Sequence, residues 1–278
     1  MPDITLQNGV TLAYEDHGDP ADPAVVLIHG VSMSRRYFHN QFTPLSARNR
    51  VIAVDLRGHG DSEKTEAGHT IPQYARDLRF FIEALGLDRP VLLGWSMGGF
   101  VVYDFVRQFG TSLLAGLIIS DEAASDFKWE GFPHGFVDLA TLHSFMTAVQ
   151  DDRQQFLEGL VPHMFHQEQS EEDIAWMVSE CAKLPTGATA AILFDQSVQD
   201  YRDVLADIDI PTLICWGRHD ALLPVSGASH LHDGISGSQL VIFEESGHCP
   251  FIEESETFNR TVTEFLSAVS GRLSQPTR

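Results

Sequence analysis

At 278 residues, 43% hydrophobic and 21% charged, the chain holds enough apolar material for one large globular domain and too much for a disordered polymer. Its 39 acidic residues against 18 basic ones leave a net charge of -21, which repels phosphate backbones and anionic headgroups and argues against a nucleic-acid or membrane partner. The expected role of this charge is a solvated acidic surface that aids solubility, and the sharper alternative is a field that disfavours anionic ligands.

The first elements in chain order are two short alternating runs, Ile4 to Gln7 and Thr11 to Glu15, on either side of Asn8-Gly9, a pairing that predicts an opening hairpin. Continuous apolar runs follow at Ala24 to Ile28 and Val51 to Leu56, the pattern of strands buried on both faces. Ile71, Tyr74, Ala75, Leu78, Ile82 and Leu85 then share one helical face, with Thr70 before Pro72 as a start signal and Gly86 as a stop. A third buried run, Val91 to Trp95, passes through Gly94-Trp95-Ser96-Met97-Gly98 into a helix ending near Phe109. This is the Gly-x-Ser-x-Gly elbow, in which a strained turn lifts a serine above the sheet, and it points to covalent acyl transfer. Further strands are expected at Leu117 to Ile119, Thr212 to Trp216 and Leu240 to Phe243, and a last helix carries Phe258, Val262, Phe265, Leu266 and Val269.

Strands alternating with helices predict an α/β fold with a mostly parallel, eight-stranded sheet covered on both faces. The alternation breaks once, between about 121 and 200, where the periodicity of about four helices rich in aromatic and Met side chains replaces any strand signal. The expected organisation is a core of residues 1–120 and 201–278, with residues 121–200 inserted after the sixth strand as a helical cap.

A serine nucleophile needs an imidazole to take its proton and a carboxylate to orient that imidazole. His248, in Glu245-Ser246-Gly247-His248-Cys249-Pro250 beyond the last strand, is the expected base. Asp220 follows the strand before it and is the expected acid, with Asp121 as the alternative. The backbone amides of Val31 and Met97 are the expected oxyanion donors. Trp129, Phe132, Phe136 and Met146 are expected to roof the substrate pocket. Arg57-Gly58-His59-Gly60 reads as a structural turn and His29 as a residue that orients its loop. His230 and His232 face different directions on a helix, so no metal site is expected.

Five pieces in order carry a resemblance: His29-Gly30 after a strand, Asp55-Leu56-Arg57-Gly58-His59-Gly60-Asp61-Ser62 after the next, the elbow at Ser96, Gly217 to Asp220, and Gly247-His248. Over nearly its whole length the chain resembles the α/β-hydrolase fold superfamily, and its elbow is similar to those of some bacterial esterases and acyl-homoserine-lactone lactonases. The resemblance implies a Ser96, Asp220 and His248 triad, an oxyanion hole from the Val31 and Met97 amides, a cap over the acyl pocket, and no cofactor. The expected reaction is hydrolysis of a small-molecule ester or lactone with an apolar group. Perhydrolase, haloperoxidase-like and carbon-carbon bond hydrolase activities use similar triads, and a ligand-binding receptor with little turnover is the alternative outside enzymes. Serine at the elbow argues against the dehalogenases and epoxide hydrolases of this fold, which need a carboxylate nucleophile. Ser255 and Val31 depart from residues common among relatives at those positions. The three scattered cysteines and an amino terminus without a basic or apolar leader predict reduced thiols and a cytoplasmic protein.

Overall fold

A computed structural model describes residues 2–273; the outermost ends of the expected core segments, residue 1 and residues 274–278, lie outside the described residues. The elements are β1 (Asp3–Thr5), β2 (Thr11–His17), β3 (Ala24–Ile28), α1 (His39–Leu45), β4 (Arg50–Val54), α2 (Ile71–Ala84), β5 (Val91–Trp95), α3 (Met97–Phe109), β6 (Gly116–Ser120), α4 (Leu139–His163), α5 (Glu171–Cys181), α6 (Thr186–Ser197), β7 (Thr212–Gly217), α7 (Ser226–Gly234), β8 (Gln239–Phe243), α8 (Pro250–Glu253) and α9 (Ser255–Leu273). They build one eight-stranded sheet in the order β1-β2-β4-β3-β5-β6-β7-β8. β1 and β2 pair antiparallel, β2 runs antiparallel to β4, and every later pairing is parallel.

The opening hairpin forms, but β1 stops at Thr5 because the turn is wider than the dipeptide alone suggests. Gly9 donates its N–H to the Leu6 carbonyl and takes a φ of +85°, which a glycine adopts without strain.

Alternation along each strand splits the core into two layers. Val26, Ile28, Ile52, Val54 and Leu92 pack on one face with α2, α3 and α7. Val25, Leu27, Val51, Ala53 and Leu93 pack on the other with α1, α9 and part of α4 and α5. This two-sided burial explains why the central strands read as unbroken apolar runs. α2 begins where Thr70 Oγ accepts the Gln73 N–H, with Pro72 in the first turn.

The long connection from β6 to β7 holds α4, α5 and α6. α4 breaks its helical geometry at Asp152, whose side chain accepts the Gln155 N–H at 3.0 Å and so starts the helix again. The segment therefore holds four helical rods. An isolated bridge between Phe127 and Val137 precedes them. The three cysteines are buried free thiols. Among the described residues no helix is long and apolar enough to cross a membrane.

Candidate active site

β5 ends against two close contacts that only glycines allow. A Cβ at Gly94 would run into the Gly98 and Gly99 backbone, and one at Gly98 into the Ile28 carbonyl. Between them Ser96 takes a φ of +51°, a left-handed conformation costly for a residue with a side chain. At Gly30, an added Cβ would meet Ser96 Cβ at 3.2 Å and Oγ at 3.5 Å, so this glycine keeps the space beside the hydroxyl free. Met97 opens α3, where a helix leaves its first N–H groups without intrahelical partners and the dipole favours negative charge.

His248 is held at Nδ1 and at both of its backbone polar groups. Its Nδ1 lies 2.8 Å from Asp220 Oδ2, with the two side chains 2% and 0% exposed. Its backbone N–H donates to the Met164 carbonyl at 2.7 Å, and its own carbonyl accepts the Trp95 indole N–H at 2.8 Å. Asp220 Oδ1 accepts the N–H groups of Leu222 and Leu223 at 2.8 and 3.1 Å. The loops that carry the two residues cross where Gly217 meets the Gly247 carbonyl, too close for any side chain.

Asp121, the alternative acid, is fully buried with a φ of +47°. Its oxygens accept the Gly217 N–H at 2.7 Å and the Ser120 hydroxyl at 2.8 Å. Burial first, and then the neighbouring Asp220 carboxylate, push its pKa well above the usual carboxylate range. One potential ligand atom each from Asp121, Asp220 and His248 falls within 4.8 Å of the others, a spacing that fits an ion. Both carboxylates are already engaged by N–H and O–H donors and by the imidazole, which a cation would have to displace.

The turn after β3 is laced to the loop after β4 by two buried imidazoles. His29 Nε2 accepts the Leu56 N–H at 3.1 Å while Nδ1 lies 2.8 Å from the Gly30 carbonyl. His59 Nε2 accepts the Ser32 N–H at 3.2 Å while Nδ1 lies 3.0 Å from the Arg57 carbonyl. Accepting at Nε2 and donating at Nδ1 fixes both rings as neutral tautomers. Burial lowers both pKa values, that of His59 far below the ordinary one.

Ser96 and His248 line one cavity of about 60 Å³ with Val31, Phe136, Phe145, Phe156 and Leu160, and with Leu193, Leu222, Leu223, Glu122, Asp126 and Gln196. Of the four expected roof residues, Phe136 reaches the wall and three do not. Phe132 packs against His134 and His230, with the Arg202 guanidinium 5.2 Å from its ring centre. Trp129 stacks near Phe127 and donates its indole N–H to Ser125 Oγ at 2.9 Å. Met146 is displaced because its neighbour Phe145 faces the cavity, and one residue along a helix turns the side chain by about 100°. Sequence reasoning missed the polar members Glu122, Asp126 and Gln196. Their available signal was the position of Glu122 and Asp126 just past the carboxyl end of β6, where site groups of parallel sheets collect.

Comparison with known proteins finds relatives over nearly the whole chain. The chain is 32% identical over 272 residues to the AB hydrolase superfamily protein YisY of Bacillus subtilis, covering 95% of this chain and 98% of that one. An esterase from Exiguobacterium antarcticum superposes with a TM-score of 0.91 at 29% identity, over 95% of this chain and 98% of the other. A bromoperoxidase from Bacillus anthracis gives 0.90 at 28% identity, over 96% of this chain and 100% of the other. Residues 25–261 match the profile of the alpha/beta hydrolase family, and the chain belongs to that family.

Proposed function

We propose that the protein is a serine hydrolase that cleaves a small carboxylic ester or lactone through an acyl-enzyme. The observation that carries this reading is the 2.8 Å contact of His248 with Asp220, on an imidazole that shares its cavity with Ser96. His248 takes the Ser96 proton as Oγ attacks the carbonyl, and Asp220 stabilises the imidazolium. The amides of Val31 and Met97 hold the oxyanion, each worth on the order of 3 kcal/mol in the transition state. His248 then protonates the leaving alcohol, and in the second half-reaction it activates water to release the acid. The helices between β6 and β7 serve as the cap, and the small, mostly apolar cavity selects short acyl chains.

The test is p-nitrophenyl butyrate hydrolysis. Ser96→Ala should lower kcat by about a millionfold, to the range expected when a triad nucleophile is removed. A fluorophosphonate should label Ser96 with a single adduct seen by mass spectrometry. Full turnover by the variant would end this reading. The bromoperoxidase relative supports a second reaction on the same acyl-enzyme. Hydrogen peroxide in place of water would break the Ser96 acyl bond and form a peracid, read as bromide oxidation in acetate with peroxide.

A further inference from the structure

Apart from Ser96 and His248, the side chains lining the cavity are hydrocarbon except in one patch. Glu122 and Asp126 are each 1% exposed and Gln196 is 5% exposed, and all three line the cavity that holds Ser96. Gln196 Nε2 donates to Asp126 Oδ2 at 3.1 Å, which fixes the amide so that Oε1 is its free end. Glu122 Oε1 accepts the Ala123 N–H at 2.9 Å. Beyond a proton that Glu122 and Asp126 share, no described residue donates to Asp126 Oδ1, and none donates to Gln196 Oε1. Burial pushes Asp126 up to about 7 and raises Glu122 well above the ordinary carboxylate range. No lysine or arginine lines this cavity among the described residues.

Buried acceptors without donors cost free energy, and a wall meant only for an alkyl chain would be better built from Leu or Met. Acceptors gathered in a substrate cavity call for a donor on the substrate. We propose that Glu122, Asp126 and Gln196 form a subsite for a hydrogen-bond-donating substituent of the ester, a hydroxyl or an ammonium group. This rests on the esterase reading and names the class of ester within it. Anionic substituents are excluded by the same oxygens. A purely structural role, tying the loop after β6 to α6, makes no distinction between donor and apolar esters, and this separates the two accounts.

The experiment compares isosteric substrates by acid release: ethyl 3-methylbutanoate, ethyl 3-hydroxybutanoate and ethyl 3-aminobutanoate, with the same trio lengthened by two methylenes. At least one donor ester should exceed its methyl isostere by about tenfold or more in kcat/KM, because a site built to bond a donor rejects the analogue that lacks one. Whether the hydroxyl or the ammonium member leads identifies the donor. Gln196→Met should cut that ratio about tenfold. Equal or inverted ratios across both trios in the unaltered enzyme overturn the subsite, and that comparison stands even if the variant fails to fold. A variant that folds, by its thermal melt, and keeps the ratio also overturns it. Hydrolysis of p-nitrophenyl butyrate without donor preference sinks the subsite alone, whereas no hydrolysis of any ester sinks the esterase reading with it.

Discussion

Two carboxyl groups stand near His248, and their surroundings give them different tasks. Asp220 meets the imidazole at 2.8 Å, while Asp121 is held by the Gly217 N–H and the Ser120 hydroxyl, and burial raises its pKa well above the usual carboxylate range. On the proposed mechanism Asp220→Asn loses about 10⁴ in kcat, as expected when the orienting carboxylate is replaced and the tautomer is wrong. Asp121→Asn, which leaves the Asp220 contact with His248 in place, should cost less than about tenfold; steady-state kinetics on p-nitrophenyl butyrate with parallel thermal melts check both. Ser96, Asp220 and His248 were legible in the sequence because each follows an apolar run that marks a strand's carboxyl end. Glu122, Asp126 and Gln196 were not, because a polar residue beside an amphipathic helix reads as solvated until the fold closes over it.

At the scale of elements, the sheet was readable because strands buried on both faces carry no polar interruption, and β3 and β5 begin and end where the apolar runs do. The pocket wall was less readable. Phe132 and Phe136 are spaced as if on one helical face, but both lie in the non-helical stretch between β6 and α4, where spacing does not decide which of them meets the cavity. The elbow depends on backbone clearance rather than on side-chain chemistry. Gly98→Ala would drive a methyl into the Ile28 carbonyl, and a destabilisation of about 3 kcal/mol is expected from urea unfolding. Thr70→Ala, at the start of α2, removes only a cap and should cost about 1 kcal/mol.

Across the whole molecule, buried and paired carboxyls pull the pH dependence of stability in opposite directions. Lys183, in the turn just after α5, and then Arg35 hold Asp61 down to about 2, against an ordinary 3.8. A depressed carboxylate stabilises the fold above about pH 4 and loses that contribution as pH falls through 2. Asp61→Asn should therefore cost about 1 kcal/mol at neutral pH, a figure reduced for its partial exposure, and nothing near pH 2. Asp126 has the opposite sign. Raised to about 7, it favours the folded state fully below about pH 4, and this advantage erodes as pH climbs to 7. Asp126→Asn should flatten the urea midpoint between those values. The hydrogen bond from the His248 N–H to the Met164 carbonyl has a different reach, since it ties the proposed general base to the carboxyl-terminal cap of α4. On the proposed mechanism, exchanging these helices between relatives to change specificity would carry away one support of the imidazole, so such chimaeras should preserve a carbonyl at that point or lose turnover along with selectivity.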